Sequence, residues 1–129
     1  MSDLTYNRTT HRITLTGSDG QQIGQWTAYN NAQSTSNGAF DVGTYTFSHR
    51  TEHAGSNAES GWGSNGVTVF NVVGRTGMGV HSGRATTADQ AGRTGPQHAT
   101  NGCIRSTDAA TEQIETTHAT DPIESLTVE

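Results

Sequence analysis

The sequence contains no lysine, one cysteine and two prolines in 129 residues. All seven basic side chains are arginines, and twelve Asp and Glu oppose them, so the formal net charge is −5 with neutral histidine. An acidic chain without a basic run lacks a surface that neutralises phosphates, which excludes nucleic-acid binding. Without lysine, the glycines at 74, 77 and 79 cannot form a Walker phosphate loop.

Long apolar runs are also absent. The most apolar stretch, residues 67–73, is interrupted by Thr68 and Asn71, whereas a membrane-spanning helix needs about 20 apolar residues. We therefore expect no membrane insertion. The start, residues 1–4, has neither the basic nor the apolar part of a cleaved export signal. We expect a cytosolic protein, a protein exported without a cleaved signal, or one that has lost its leader.

The composition favours strands over helices. Apolar residues make up only 29% of the chain, and threonine, which is β-branched and frequent here, suits a half-buried pleated surface. We therefore expect residues 1–129 to form a single, mostly β domain. Alternating or β-branched residues predict strands within four stretches: residues 4–29, 40–47, 67–73 and 123–128.

One helix and two long loops complete this prediction. Ser106 or Thr107 can cap a short helix that continues to about His118. Pro122 prevents the helix from continuing further. Residues 48–66 and 84–99 are polar or rich in glycine, and we expect both to be loops, the second of them functional.

Two segments, Gly79–Gly83 and Thr100–Arg105, hold the residues suited to nucleophilic chemistry. The second places the only thiol, Cys103, directly after a glycine and two residues before a cation. A thiol attacks as its thiolate, and its pKa falls beside an imidazolium or a guanidinium. Gly102 permits backbone shapes that direct successive amides at one oxyanion, and His81 is the natural base. These are the parts of a Cys/His acyl-transfer site.

The stretches His81-Ser82-Gly83 and Thr100-Asn101-Gly102-Cys103-Ile104-Arg105 resemble a known signature. In the L,D-transpeptidase catalytic domain (YkuD-like), a histidine and a variable loop precede Ser/Thr-His-Gly-Cys, an aliphatic residue and Arg or Asn. The resemblance covers most of the chain in order. It departs from the family at Asn101, where His is usual, at Asp41, where Pro is usual, and in a slightly long His-to-Cys separation (103 − 81 = 22).

The resemblance implies a β-sandwich or barrel-like fold, with one short helix after the cysteine, that acts on peptidoglycan stem peptides. Cys103 would attack the carbonyl between the diamino acid and a terminal D-Ala, while His81 takes the thiol proton and later protonates the leaving amine. Ser82 would hold His81 through its backbone or hydroxyl, and Arg105 would pair with a substrate carboxylate. The resemblance assigns the oxyanion to the backbone amides of Asn101, Gly102 and Cys103. It places Thr100 and Gly83 beside them among the oxyanion and substrate-binding residues.

The same resemblance implies two fates for the thioester. An amine would give cross-linking or D-amino-acid exchange, and water would give L,D-carboxypeptidase trimming. We expect a monomer without metal or organic cofactor. The small size, the absent signal and the atypical Asn101 also motivate a second hypothesis, an antibacterial effector acting in the periplasm or cell wall. Its partners would be a secretion apparatus and a cognate immunity protein.

Two alternatives of other classes stay open. One is a peptidoglycan-binding module without turnover. The other is a zinc hydrolase, because His49-Arg50-Thr51-Glu52-His53 matches the His-x-x-Glu-His motif of one zinc peptidase class. That chemistry needs both histidines on one face of a helix, whereas this segment follows a strand-like stretch and has no apolar stripe. We therefore favour a solvated loop.

Two further side chains are ambiguous. Trp62 lies between two glycines. Because Trp favours partly exposed positions, we expect its indole to be either a hydrophobic plug or part of the wall of a glycan or peptide groove. His98 lies in the loop before the cysteine, and we expect it to be solvated rather than to act as the base.

Overall fold

The fold is mostly β, as the composition predicts. The computed structural model describes residues 1–52 and 55–129. Within them, the helices are α1, Asp108–Thr120, and a short 3-10 turn, Gly95–Gln97. The strands are β1 Ser2–Asn7, β2 Arg12–Thr16, β3 Gln22–Thr27, β4 Gly43–Thr51, β5 Val67–Phe70, β6 Gly79–His81, β7 Ile104–Arg105 and β8 Ile123–Val128. They form one sheet in the order β3-β2-β1-β8-β4-β5-β6-β7.

The first half of the sheet follows simple alternation. In β1, Leu4 and Tyr6 point inward between half-buried neighbours, because successive side chains of a strand face opposite sides. β1 pairs antiparallel with β2 and parallel with β8. The buried apolar residues form one core: Leu4, Tyr6, Ile13, Leu15, Ala28, Phe40, Phe70, Met78, Val80, Ile104, Ile114, Ile123, Leu126 and Val128.

Strand β4 joins the two halves of the sheet. Its first part pairs with β8, and its second part pairs with β5. The register shifts between Phe47 and His49, and a bulge of this kind bends a strand and increases its twist. The prediction of a loop from residue 48 is wrong for residues 48–51. They lack apolar alternation, yet β5 supplies their backbone partners.

The sheet curls until its edges meet. Tyr29, two residues after β3, exchanges two backbone hydrogen bonds with Arg105 of β7, at N···O distances of 3.0 and 2.9 Å. Because β3 and β7 are the two edge strands, this bridge closes the sheet locally. The prediction of a mostly β, barrel-like domain with one helix after the cysteine is confirmed.

Helix α1 begins where its capping residue predicts. The Thr107 hydroxyl accepts a hydrogen bond from the Ala110 amide at 3.2 Å, which satisfies a free N–H of the first turn. Ala110 and Ile114 are buried against the sheet. The helix ends at Thr120, two residues beyond the expected end and just before Asp121-Pro122, since the residue preceding proline avoids helical backbone.

Strands β5 to β7 form the other end of the sheet. All four residues of β5 are buried between β4 and β6, but the strand ends at Phe70, and Val73 is fully exposed. β6 and β7 run parallel with Val80 opposite Ile104 and His81 opposite Arg105. This register positions the residue before β7, Cys103, alongside β6. No helix in the described ranges is long and apolar enough to cross a bilayer.

Candidate active site

A cleft of about 720 Å³ opens at the β6–β7 end of the sheet. It brings together six of the residues singled out from the sequence: Cys103, His81, Trp62, Thr100, Asn101 and Arg105. Three others, Ser82, Gly83 and Gly102, are buried beside the cleft and do not line it. The cleft also contains residues that the sequence did not single out, among them Arg75, Met78 and Arg84.

Strand pairing brings the thiol and the imidazole into the same cleft. The Gly79 amide of β6 donates to the Cys103 Sγ at 3.4 Å, and the thiol donates to the Gly77 carbonyl at 3.3 Å. The two side chains are 7% and 1% exposed for Cys103 and His81. The nucleophile and base predicted from positions 22 residues apart (103 − 81) therefore share one site.

Burial keeps this pair uncharged. It raises the pKa of the Cys103 thiol, and the Gly79 amide and the cations of Arg105 and Arg75 offset only part of that effect. Burial also lowers the pKa of His81 to about 4, against the opposing effect of its hydrogen bond to Ser82. At neutral pH the resting cleft therefore contains a neutral imidazole, which can accept a proton, and a neutral thiol.

The backbone orients His81. Its Nδ1 lies 2.7 Å from the Ser82 carbonyl oxygen, which can only accept, so Nδ1 carries the proton and Nε2 keeps its lone pair. Trp62 packs edge-on against the imidazole, with ring centroids 5.0 Å apart. This indole is 44% exposed and lines the cleft, which agrees with the groove-wall alternative.

Asp108 supports the residue next to the base, and sequence reasoning missed it. The Ser82 hydroxyl donates to Asp108 Oδ1, and the Ser64 hydroxyl donates to Oδ2 at 2.7 Å. Burial acts to raise the pKa of Asp108, but these hydrogen bonds outweigh it and lower the pKa. The only sequence signal was an acidic residue in the first turn of a helix, which the helix dipole alone explains.

Arg105 connects three segments around the site. Its side chain is 4% exposed, and burial lowers its pKa to about 10. The guanidinium donates to four backbone carbonyls: Ser82 at 3.2 Å, His98 at 2.7 Å, Ala99 at 3.2 Å and Gly61 at 2.9 Å. These bonds give Arg105 a positioning role; its predicted contact with a substrate carboxylate stays a prediction.

His98 is not a solvated side chain, contrary to the expectation. It is half-buried and lines the cleft, and its Nδ1 lies 3.0 Å from the Arg105 Nη1. The signal that sequence reasoning lacked is the non-local contact with Arg105, seven positions further along the chain.

A polar turn holds the nucleophile. The Thr100 hydroxyl accepts from the Gly102 amide at 3.0 Å and donates to the Cys103 carbonyl at 2.7 Å. Asn30, which sequence reasoning also missed, donates to the carbonyls of Gly102 and Cys103 at 2.7 and 3.0 Å. The Gly102 amide is therefore engaged within the turn. Of the three amides proposed for the oxyanion, those of Asn101 and Cys103 stay candidates.

Two glycines are required here by backbone geometry. Gly102 has φ +130°, and a Cβ there would lie 2.8 Å from the Gly38 carbonyl oxygen and from the Met78 sulfur. Gly83 has φ +108°, and a Cβ there would lie 2.9 Å from the Gly63 amide nitrogen. Both positions are in the left-handed region that other residues avoid, so the backbone shape of each of the two turns requires its glycine.

The described residues of the zinc-hydrolase alternative, His49 and Glu52, are not arranged as that chemistry requires. His49 is exposed on strand β4 and not on a helix. The Glu52 carboxylate accepts from Arg50 Nε at 3.0 Å, and His53 lies outside the described residues. Over residues 1–52 and 55–129, no three His, Cys, Asp or Glu side chains are grouped as metal ligands.

The comparisons with known proteins agree with this architecture. No family model and no curated protein matches the sequence. The structure is similar to an L,D-transpeptidase from Xylanimonas cellulosilytica, with a TM-score of 0.61 and 14% identity over 99% of this chain and 60% of that one. The L,D-transpeptidase from Stackebrandtia nassauensis gives 0.60 and 12%, over 99% and 55%. The Mycobacterium smegmatis L,D-transpeptidase gives 0.60 and 16%, over 99% and 58%.

These likenesses establish the fold. The chain has the fold of the L,D-transpeptidase catalytic domain, and the expectation drawn from the resemblance is confirmed at this level. It spans between 55% and 60% of the length of the structures that it matches.

Proposed function

We propose that this protein is a cysteine acyltransferase of the L,D-transpeptidase type, acting on peptidoglycan stem peptides in the periplasm or cell wall. The observation that supports it most is the cleft shared by His81, on β6, and Cys103, the residue before the neighbouring strand β7. The fold supports it further, because solved proteins with the same architecture are named L,D-transpeptidases. Fold alone would not suffice, since unrelated activities use common folds.

In the proposed acylation, His81 Nε2 takes the thiol proton and Cys103 Sγ attacks the carbonyl between the diamino acid and the terminal D-Ala. The C–N bond then breaks, and the imidazolium returns the proton to the leaving amine. The products are free D-Ala and a Cys103 thioester. The Ser82 carbonyl holds the Nδ1 proton throughout, as an orienting acceptor does in related nucleophile–base pairs.

The tetrahedral intermediate carries a negative oxygen that needs donors. The amides of Asn101 and Cys103 are the candidates, and one such donor contributes about 10²–10³ in rate in other acyl-transfer enzymes. In the second step, an amine or a water attacks the thioester, and His81 takes the proton of the attacking group. An amine gives cross-linking or exchange, and water gives trimming.

The neutral resting pair has a measurable consequence for the free protein. Because burial raises the pKa of Cys103, the thiolate fraction at neutral pH is small, and only the thiolate reacts with iodoacetamide. We expect alkylation to be slow at pH 7 and to accelerate steadily towards pH 9 and above. Mass spectrometry of samples quenched over time gives the rate. A rate that is already maximal at pH 6 would contradict a neutral pair.

The activity test uses purified disaccharide-tetrapeptide, with and without a D-amino acid, followed by mass spectrometry. We expect Cys103-dependent release of D-Ala, and loss of product in Cys103→Ala and after complete alkylation. His49→Gln is the matched control for His81→Gln, because His49 is exposed on β4 away from the cleft. Turnover that survives complete alkylation would rule out the mechanism. Binding without product, unchanged by Cys103→Ala, would favour the non-catalytic module.

The antibacterial-effector hypothesis is tested separately. We expect expression with an added periplasmic signal to harm bacteria, and cytosolic expression of the same chain to be tolerated. Cys103→Ala should be harmless in both compartments, which separates enzymatic toxicity from the burden of export. Equal harmlessness of the active protein in both compartments would argue against an effector and its implied immunity and secretion partners.

A further inference from the structure

The cleft has a charge opposite to that of the chain. The formal net charge is −5, yet three of the seven arginines line the cleft, and none of its lining residues is an Asp or Glu. The three are Arg75, Arg84 and Arg105. A cleft whose walls carry a single sign of charge concentrates ligands of the other sign.

Two of these arginines have guanidinium N–H groups without a hydrogen-bond acceptor in the described part of the chain. Arg105 is occupied by four backbone carbonyls, whereas Arg75 has one long bond, 3.3 Å, to the Asn101 carbonyl. Among the described residues, Arg84 has a single hydrogen-bond partner, the Glu59 carbonyl, at 3.4 Å. Within residues 1–52 and 55–129, the side-chain ion pairs of arginine involve Arg50 and Arg93 and neither of these two.

The position of Arg75 places its charge beside the nucleophile. A Cβ added to Gly102, the residue before Cys103, would collide with the Arg75 Nη2. The guanidinium therefore lies against the turn that carries the thiol, on the cleft side of that turn. It is half-buried, so solvent screens it less than a surface charge.

Arg84 is held in an unfavourable backbone conformation. Its φ is +54°, a region that residues other than glycine, Asn and Asp seldom occupy. Two backbone bonds fix it: its amide donates to the Ser60 carbonyl at 3.3 Å, and its carbonyl accepts from the Gly95 amide at 2.6 Å. Strain of this kind persists where a functional side chain must be presented.

The carboxylate of Glu59, whose backbone carbonyl Arg84 contacts, forms no ion pair with Arg84 in the described part of the chain. The Glu59 carboxylate accepts instead from the hydroxyls of Thr86 and Thr87, each at 2.7 Å, and from the Thr86 amide at 2.9 Å. The Arg84 guanidinium is thus left on the cleft wall, where Gly61 and Trp62 also lie.

We propose that Arg75 and Arg84 are the carboxylate-binding residues of this cleft, and that they select an acyl donor whose leaving residue has a free α-carboxylate. This inference rests on the proposed function. The leaving residue follows the attacked carbonyl directly, so its carboxylate lies close to Cys103 and within reach of Arg75. The planar guanidinium matches a carboxylate in a two-pronged contact. Arg84 adds a second positive charge that attracts the carboxylate from the side of the cleft where Trp62 lies.

The test compares two donors, the disaccharide-tetrapeptide with a free C-terminal carboxylate and the same peptide as its C-terminal amide. We expect wild type to prefer the carboxylate about 10- to 100-fold in kcat/KM, the range of a hydrogen bond to a charged group. Arg75→Gln should reduce that preference to about twofold, through a larger loss of kcat/KM on the carboxylate donor than on the amide. Arg75→Lys, which keeps the charge without the fork, should retain an intermediate preference.

Arg84→Gln should reduce the preference several-fold, and Arg8→Gln, an exposed arginine far from the cleft lining, should leave it unchanged. A full carboxylate preference in both Arg75→Gln and Arg84→Gln would overturn the inference while leaving the proposed function intact. If neither donor gives a Cys103-dependent product, the proposed function fails, and calorimetric binding of both peptides to Cys103→Ala decides the inference. Carboxylate-selective binding that Arg75→Gln abolishes supports it, and unselective or absent binding overturns it.

Discussion

The two ends of the sheet differ in what they bury. At the β1–β2–β8 end, the inward side chains are almost all aliphatic, for example Leu4, Leu15 and Leu126. At the β6–β7 end, the chain buries His81, Ser82, Thr100, Arg105 and Ser106. Apolar contacts are non-directional, whereas a buried polar group needs a partner in the correct place. The aliphatic end thus mainly stabilises the fold, and the polar end fixes the positions of the side chains in the cleft.

The polar end depends on contacts between distant parts of the chain. Arg105 donates to backbone carbonyls of three segments: the loop at Gly61, the loop at residues 98–99 and the turn after His81. Asp108 joins Ser82 to helix α1. Removing one member of such a network leaves its partners without hydrogen bonds, at a cost of about 1–3 kcal/mol for each buried group. A change here is therefore expected to disturb the cleft more than the fold.

The largest expected contrast is between Arg105→Lys and Leu126→Ala. An ammonium cannot reach carbonyls in three segments, and misplacing a catalytic group by about 1 Å can lower a rate about 100-fold. We expect Arg105→Lys to reduce Cys103-dependent turnover by about that factor. Leu126→Ala should lower the free energy of unfolding by about 2–5 kcal/mol, with normal turnover per folded molecule. Chemical denaturation and the peptide assay measure the two effects.

Similar turnover per folded molecule in the two variants would contradict the proposed difference between the two ends. Equal loss of turnover per folded molecule in Leu126→Ala would mean that the aliphatic end also positions the site. Unchanged turnover in Arg105→Lys would remove the positioning role of the guanidinium. The Cys103 alkylation rate is a second measurement for both variants, and it does not depend on the identity of the substrate.

The two ends also differ in how far the sequence predicts them. The aliphatic end follows from alternation, and residues 123–128 form the expected strand. At the polar end, local chemistry indicated Cys103 and His81 as parts of an acyl-transfer site, and the family resemblance supplied their roles. The partners of Arg105 are backbone carbonyls up to 44 positions away, which side-chain identity cannot reveal. Asp108 was missed because its partners, the hydroxyls of Ser82 and Ser64, lie 26 and 44 positions away in the sequence.

The next largest effect concerns His81 and pH. Its pKa is lowered to about 4 by burial, whereas an unfolded histidine titrates near 6.5. Below about pH 6.5 the unfolded chain therefore binds a proton at this histidine that the native state does not bind. The contribution of neutral His81 to the free energy of unfolding is fully present above pH 6.5 and decreases as the pH falls to about 4. The loss amounts to about 3 kcal/mol. Denaturation at pH 7 and pH 4.5 measures most of it.

His81→Gln provides the matched control for that measurement. It removes the titrating group and should make the free energy of unfolding nearly constant between pH 6.5 and 4.5. The carboxylates whose pKa values are lowered start to lose their stabilising effect only as pH falls below about 5. They are Glu52, Glu59, Asp89, Asp108 and Asp121. They affect both proteins equally. An identical pH profile for wild type and His81→Gln would show that the imidazole is not held neutral by burial.

The smallest expected effect tests how far the polar end reaches into the helix. Asp108→Asn keeps the side-chain size but removes the charge that accepts from the hydroxyls of Ser82 and Ser64. We expect a loss of about 1 kcal/mol in the free energy of unfolding, since a hydrogen bond to a charged group contributes more than a neutral one. Turnover should fall several-fold, because Ser82 orients His81. Glu112→Gln removes a charge from the exposed side of the same helix and should change neither quantity. If Asp108→Asn lowers stability with unchanged turnover, the carboxylate only anchors α1, and the positioning network ends at Ser82.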